Sequence, residues 1–193
     1  MTQMKIQVII GSTRASRFGV QPAEWIFQEL KKQSDLEVEL IDLRDWPLPF
    51  FNESVSPAFN NGKYELDLAQ KWAAKIGEAD GYVFVTPEYN HGYSAVLKNA
   101  IDYISREWNK KPVAFVAYGS VGGVRAVEQL RQVAAELQMV SIRQAVYIVN
   151  FWSLLDEQGK LKTESLQSSA DAMIENLLWW TKALKTARDF SKG

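Results

Sequence analysis

Short apolar runs alternate with longer amphipathic segments along this chain, and that alternation narrows the possible folds most. Lys5–Ile10 (KIQVII) reads as a strand that stops at Gly11. Gln21–Lys32 reads as a helix, with Ala23, Phe27 and Leu30 at i, i+4 and i+7. Leu36–Asp42 (LEVELID) alternates apolar and polar residues, the pattern of a half-covered edge strand. Leu66–Glu78 reads as a second helix, burying Leu66, Ala69, Ala73 and Ile76. Tyr82–Thr86 (YVFVT) is β-branched and aromatic, as in a strand covered on both faces. Then follow a helix over Tyr93–Ser105, a strand over Pro112–Tyr118 and a helix over Val124–Gln138. A fifth strand over Arg143–Val149 and a closing helix over Lys162–Lys185 complete the series. Arg44–Lys63 holds Pro47, Pro49, Pro57 and Gly62 and reads as a long loop, of a length that is usually functional or mobile.

Parallel strands require crossovers, and those crossovers pack right-handed on the sheet. Five strands alternating with helices therefore predict an α/β fold of three layers, a parallel sheet with helices on both faces. At 193 residues the chain fits one domain, 1–193, with no repeat or linker to divide it. Folds of this kind bind ligands beyond the carboxyl ends of their strands, so the loops after strands one, three and four are the places to look.

Composition removes several function classes. Lys and Arg number 22 against 23 Asp and Glu, a formal net charge of −1 without a basic run, so no nucleic-acid partner is expected. No apolar stretch reaches the ~18 residues of a membrane span, and the N-terminal MTQMKIQVII lacks a signal-peptide pattern. Cysteine is absent, which excludes disulfides, thiol catalysis and thiolate metal sites and fits a reducing compartment. A cytoplasmic protein is the expectation. With His91 as the one histidine, no multi-histidine metal site is possible, and no metal is assigned.

The first loop is Gly11-Ser12-Thr13-Arg14-Ala15-Ser16-Arg17. Ser12, Thr13 and Ser16 supply hydroxyls, Arg14 can fork two hydrogen bonds, and the following helix offers unpaired N–H groups. This suits a phosphate; the alternative is helix capping by Ser or Thr beside a solvated Arg. Neither the P-loop pattern nor the Gly-x-Gly-x-x-Gly dinucleotide fingerprint is present. The second loop is Thr86-Pro87-Glu88-Tyr89-Asn90-His91-Gly92-Tyr93-Ser94. Tyr89 offers a flat stacking surface and Asn90 both donors and an acceptor, as a planar heterocycle would need. The alternative is a turn in which Asn90 or Ser94 caps the next helix. His91 is a solvent-facing loop residue or a catalytic group. The third loop, Gly119-Ser120-Val121-Gly122-Gly123, can approach a ligand closely or serve as a flexible turn.

These stretches resemble one family. The Gly11-Ser12-Thr13-Arg14 run with Ser16, and Gly119-Ser120-Val121-Gly122-Gly123, are similar to NADPH-dependent FMN reductases. So is the long stretch from Pro87-Glu88-Tyr89-Asn90 through Tyr93-Ser94-Ala95-Val96-Leu97-Lys98-Asn99-Ala100-Ile101-Asp102. The resemblance covers roughly residues 4–150. It implies a flavodoxin-like fold, strand order 2-1-3-4-5, with bound FMN and NADPH or NADH as co-substrate. Its matched positions place the phosphate on Ser12, Arg14, Ser16 and the neighbouring Arg17 and Phe18, and Thr13 is expected among the cofactor-binding residues. They place the isoalloxazine against Pro87, Glu88, Tyr89 and Asn90, with Gly119, Ser120, Gly122 and Gly123 on the other side. It also implies a homodimer or homotetramer.

With flavin doing the hydride chemistry, the protein need only position, tune and shield it, so no side chain is assigned as catalytic. The expected acceptor is a small molecule: a quinone, azo compound, free flavin or metal oxyanion. The alternatives are an electron-carrier flavodoxin, or an FMN-binding regulatory protein without turnover. Arg17, Arg106 and Arg125 are the candidates for the 2′-phosphate of NADPH. Trp179 and Trp180 lie about 100° apart on the closing helix and cannot both face the core. Lys185–Gly193 reads as a solvated tail.

Overall fold

The computed structural model describes residues 3–191. Five strands, β1 (Met4–Ile10), β2 (Leu36–Asp42), β3 (Gly81–Pro87), β4 (Pro112–Gly119) and β5 (Val140–Val149), form one sheet in the order β2-β1-β3-β4-β5. Every neighbouring pair is parallel, so each connection is a crossover. The helices are α1 (Val20–Lys31), α2 (Asp67–Gly77), α3 (Ala95–Asp102), α4 (Val124–Glu136) and α5 (Gln167–Phe190).

Strand periodicity divides the core into two. Ile6, Val8, Ile10, Val83, Val85, Ala114 and Val116 pack under α1 and α5, where Ile26, Leu30, Met173 and Leu177 meet them. Ile9, Phe84, Val113, Phe115 and Ala117 face the other way, onto α2, α3 and α4 through Trp72, Ile76, Leu97, Ile101 and Leu130. β3 is buried along its whole length, as its unbroken apolar run predicts, whereas β2, at the edge, does not alternate cleanly: Leu36, Val38 and Leu40 pack on one side and Ile41 on the other. The expected three-layer α/β architecture is therefore the observed one.

Several boundaries differ from the periodicity. α3 begins at Ala95, because the Ser94 hydroxyl accepts from Leu97 N at 3.3 Å and caps it there. β5 starts at Val140, three residues early, and its register against β4 shifts between Val113 and Phe115. The closing helix starts at Gln167. Before it, Asp156 accepts from Gln158 N and Lys160 N at 2.9 and 2.8 Å, and Leu155 bridges Leu161, which holds the chain in a turn. The helix also runs on to Phe190, so the tail is not solvated from Lys185. Lys185 Nζ reaches Asp80 at 2.9 Å and Arg188 Nη2 reaches it at 2.7 Å, tying α5 to the start of β3. Residues 192–193 of that expectation lie outside the described residues. Trp180 packs on the core, whereas Trp179 is exposed.

The long loop is anchored rather than loose at its start. Trp46 meets Trp72 at a 5.0 Å centroid separation, and Phe51 meets Tyr103 edge-on at 5.3 Å. Asn99 on α3 accepts from Phe51 N at 2.9 Å and donates to Pro49 O at 2.7 Å.

Candidate functional site

β1, β3 and β4 end side by side, which brings the three loops together. Gly11 leaves β1 by donating its N–H to Val85 O at 2.8 Å. A Cβ on Gly11 would stand 2.9 Å from that same oxygen, so the close approach requires glycine. Ser94 donates to Gly11 O, which joins the first loop to the cap of α3.

The first loop is held from below by its carbonyls. Arg44, just after β2, donates Nη2 to Arg14 O and to Ala15 O, the latter at 3.0 Å, and its Nε points to Thr13 O at 3.4 Å. Arg17 donates to Ser12 O at 2.7 Å and forks onto both Asp42 oxygens. Asp42 also accepts from Arg44 N at 2.9 Å. Burial alone would push the Asp42 carboxyl upward, but the Arg17 and Arg44 hydrogen bonds outweigh it and hold the group below the ordinary carboxylate range. With the carbonyls of residues 12–15 turned to two guanidinium groups, the amides face elsewhere. Among the described residues, no protein acceptor takes the N–H of Ser12, Thr13, Arg14, Ala15 or Ser16. Thr13, Arg14 and Ser16 are exposed at the rim. This is the donor set of an anion cradle: unpaired amides, hydroxyls and one guanidinium at the N-terminal end of α1.

In the second loop Tyr89 and Gly92 exchange backbone hydrogen bonds at 2.8 and 3.1 Å, around Asn90 and His91 at φ 49° and 75°. Two consecutive left-handed residues make a tight reversing turn. Neither residue caps α3; Ser94 does. Asn90 and His91 are exposed, and His91 O accepts from Gln129 at 2.9 Å. Tyr89 Oη lies 2.9 Å from Ser12 Oγ, and the Arg14 guanidinium sits 5.9 Å from the Tyr89 ring centroid. The first two loops are thus one unit.

Glu88 turns inward. Its carboxylate accepts from Arg125 N at 3.0 Å and from the Arg125 guanidinium, with Nε at 2.7 Å. Desolvation opposes its charge, yet these bonds at the start of α4 keep its pKa below normal. In the third loop Gly122 and Gly123 both have φ 77°. A Cβ on Gly123 would stand 2.6 Å from Ala117 Cβ and 2.9 Å from Tyr118 N. That loop is pressed onto the end of β4, leaving Ser120 and Val121 exposed at its crest.

The structure therefore sorts the residues singled out in the sequence. Ser12 is buried against Tyr89, whereas Thr13, Arg14, Ser16, Asn90 and Ser120 are exposed in the loops that follow β1, β3 and β4. The Arg17 and Glu88 side chains serve as supports, and Phe18 stacks on Phe151 at 4.4 Å and meets Tyr118 edge-on. Of the 2′-phosphate candidates, Arg17 and Arg125 already hold carboxylates. Asp42, Arg44 and Tyr118 carry no local sequence signal and emerge only in three dimensions. Among the described residues, no group of three or more His, Asp or Glu side chains is placed to hold a metal, and no helix is long and apolar enough to cross a membrane.

A parallel five-stranded sheet in this order, with an anion cradle after β1 and flanking loops after β3 and β4, defines a flavodoxin-type α/β protein. The model of the NADPH-dependent FMN reductase family matches residues 4–153, and the chain belongs to that family. An NAD(P)H-dependent FMN reductase of Schizosaccharomyces pombe is 43% identical over 135 residues, covering 70% of this chain and 68% of that protein. An NAD(P)H:quinone oxidoreductase of Solanum tuberosum is 34% identical over 146 residues, covering 72% of each. A flavoenzyme NAD(P)H:(acceptor) oxidoreductase from Paracoccus denitrificans shares the fold, with a TM-score of 0.72 at 22% identity over 93% of this chain and 98% of that one. The chain is an FMN- and NAD(P)H-dependent oxidoreductase, as the family resemblance implies.

Proposed function

We propose that the first loop binds the FMN phosphate and that the enzyme passes electrons from NAD(P)H to a small quinone-type acceptor. The observation that carries this is the set of amides from Ser12 to Ser16, which take no protein acceptor among the described residues while Arg44 and Arg17 engage the carbonyls of residues 12–15. Bound FMN supplies hydride acceptance from a nicotinamide and onward delivery of electrons. The protein's part is to bind and orient. Ser12, Thr13, Ser16 and the amides donate to the phosphate, with Arg14 forking onto it from the rim. Arg17 acts through Asp42 and Ser12 O, keeping the loop in shape. The stretch Pro87–Asn90 lines one side of the ring, chiefly by backbone and the Tyr89 edge, and Gly119–Gly123 with Ser120 lines the other. Glu88 fixes the start of α4 instead of touching the ring. The quinone assignment is supported by the quinone oxidoreductase among the relatives.

Residues 1–193 act as a single flavin-binding domain in the cytoplasm, which the absence of cysteine fits. The exposed Val121, Val124, Val149 and Trp152, clustered in sequence beside the glycine loop and β5, support self-association as a dimer or tetramer. Following NADPH and NADH oxidation by the FMN-loaded protein, with a benzoquinone, an azo dye and free FMN compared, tests the reading. Fastest turnover with the benzoquinone is expected. Flavin bound without oxidation of either nicotinamide by any acceptor would make it a carrier and end the proposal.

A further inference from the structure

α4 grips the second loop at two places. Arg125 and Gln129 stand four residues apart on it, along one face. Arg125 brings Nε and Nη2 to Glu88 Oε1, with Nε at 2.7 Å, and its backbone N–H donates to Glu88 Oε2 at 3.0 Å. The Glu88 side chain is 4% exposed, so this contact is made out of water. Gln129 Nε2 donates to His91 O at 2.9 Å, and a Cβ on Gly92 would stand 3.1 Å from Gln129 Oε1. The two gripped residues bracket Tyr89 and Asn90. Asn90 and His91 are both left-handed, a conformation that non-glycine residues keep only where their surroundings hold them. The third loop runs directly into the same helix: Gly123 precedes Val124, and Gly122 N–H closes the loop onto Gly119 O at 3.2 Å. Glu88 N also donates to Tyr118 O at 3.0 Å, so the second and third loops start side by side. Both proposed flanks of the flavin ring are therefore fastened to the start of α4.

We propose that Arg125 and Gln129 are positioning residues for the isoalloxazine: they hold the turn at Tyr89–Asn90 against the helix that the glycine loop opens, so that the two flanks of the ring keep their spacing before the ring arrives. A ring that meets a turn already in place does not have to order it, and the ordering cost avoided appears as affinity. Without the grip, only the fraction of molecules with the turn in place would be competent, and apparent affinity would fall by that fraction. The effect belongs to the ring rather than to the phosphate, since among the described residues neither side chain bonds to the first loop. The inference rests on the proposed placement of the ring between the second and third loops.

The test is stopped-flow binding of FMN and of riboflavin, which lacks the phosphate, to flavin-free wild type, Arg125→Lys and Gln129→Met. The first variant keeps a positive charge beside Glu88 but loses the paired Nε and Nη2 contacts. The second keeps the length of the side chain but loses the donor to His91 O. Each is expected to weaken FMN and riboflavin by the same factor, about three- to tenfold, the loss of one hydrogen bond. The loss should lie in a slower association rate, with dissociation changed less than about twofold, because it is the competent fraction that falls. Amide hydrogen exchange should quicken at Tyr89 and Gly92, which bond across the turn, and stay unchanged in β3 and β4. Unchanged riboflavin affinity would overturn the proposal, and so would a loss confined to FMN. A loss carried by dissociation, or faster exchange spread through the sheet, would show a merely structural contact and overturn it as well. If wild type bound no riboflavin, the ring placement itself would fall, a result distinct from the others.

Discussion

Asp42 is the residue whose removal should be felt most beyond the site itself. It holds Arg17, whose side chain is 5% exposed while that of Asp42 is 24% exposed. Asp42→Ala strands a guanidinium in the interior, with Ser12 O as its remaining acceptor and Nε already unpartnered. Breaking a buried ion pair from one side costs about 3–5 kcal/mol. Asp42 keeps some contact with water, so about 3 kcal/mol is expected. For a chain of this size that lowers Tm by roughly 6–12 °C. Asp42→Asn keeps the shape and the Oδ1 acceptor of Arg17 Nη1 and Arg44 N but turns an N–H donor toward Arg17 Nη2 in place of Oδ2, and should lose somewhat less than Asp42→Ala. The assay is urea unfolding at neutral pH, with the midpoint falling and the slope unchanged. The pH dependence follows from the sign of the shift. The Asp42 carboxyl is held below its ordinary value in the folded chain, so its contribution is complete above the ordinary carboxylate range. It is lost as pH falls through the folded value. The gap between wild type and Asp42→Asn should stay constant from about pH 8 to pH 5 and begin to narrow only below the ordinary carboxylate range. The double variant Arg17→Ala/Asp42→Ala should be less destabilised than the sum of the singles by at least about 1.5 kcal/mol. A loss under about 0.5 kcal/mol for Asp42→Ala, or strict additivity, would refute the reasoning.

Arg14→Ala should weaken FMN binding by about 1.5–3 kcal/mol with little effect on stability, measured by fluorescence titration, since it removes a charged donor from an exposed rim. Arg44→Ala should free the carbonyls of residues 13–15. Faster amide hydrogen exchange at residues 12–16 and a several-fold weaker FMN complex are expected. Gly123→Ala meets Ala117 Cβ at 2.6 Å and must also keep φ near 77°, so a loss of about 2–4 kcal/mol is expected in thermal unfolding.

The strands and the three loops were legible because their signals are local. Alternation in LEVELID marks an edge, YVFVT marks a covered centre, and glycine and hydroxyl clusters punctuate the strand ends. Partnership between distant charges was not legible. Arg17 meets Asp42 only because β2 lies beside β1, and Glu88 meets Arg125 only because β3 and β4 are neighbours. Read along the chain, both arginines look like ligand-binding groups and Glu88 looks like a ring contact. The topology pairs all three with protein groups, Arg17 with Asp42 and Arg125 with Glu88. Tyr118 reads as the last residue of a strand, and nothing nearby in sequence indicates that its hydroxyl ends without a partner beneath the first loop. The end of α5 was missed for a similar reason: Lys185 and Arg188 look solvated until Asp80 is placed under them.

The most direct measurement is the visible absorption of the FMN-loaded protein during anaerobic addition of NADPH, then of NADH to a second sample. Bleaching of the oxidised flavin bands by at least one nicotinamide, with recovery when a benzoquinone is added, is the predicted result. Flavin that stays oxidised with both, or protein that takes up no FMN, would contradict a nicotinamide-to-acceptor reductase built on these three loops.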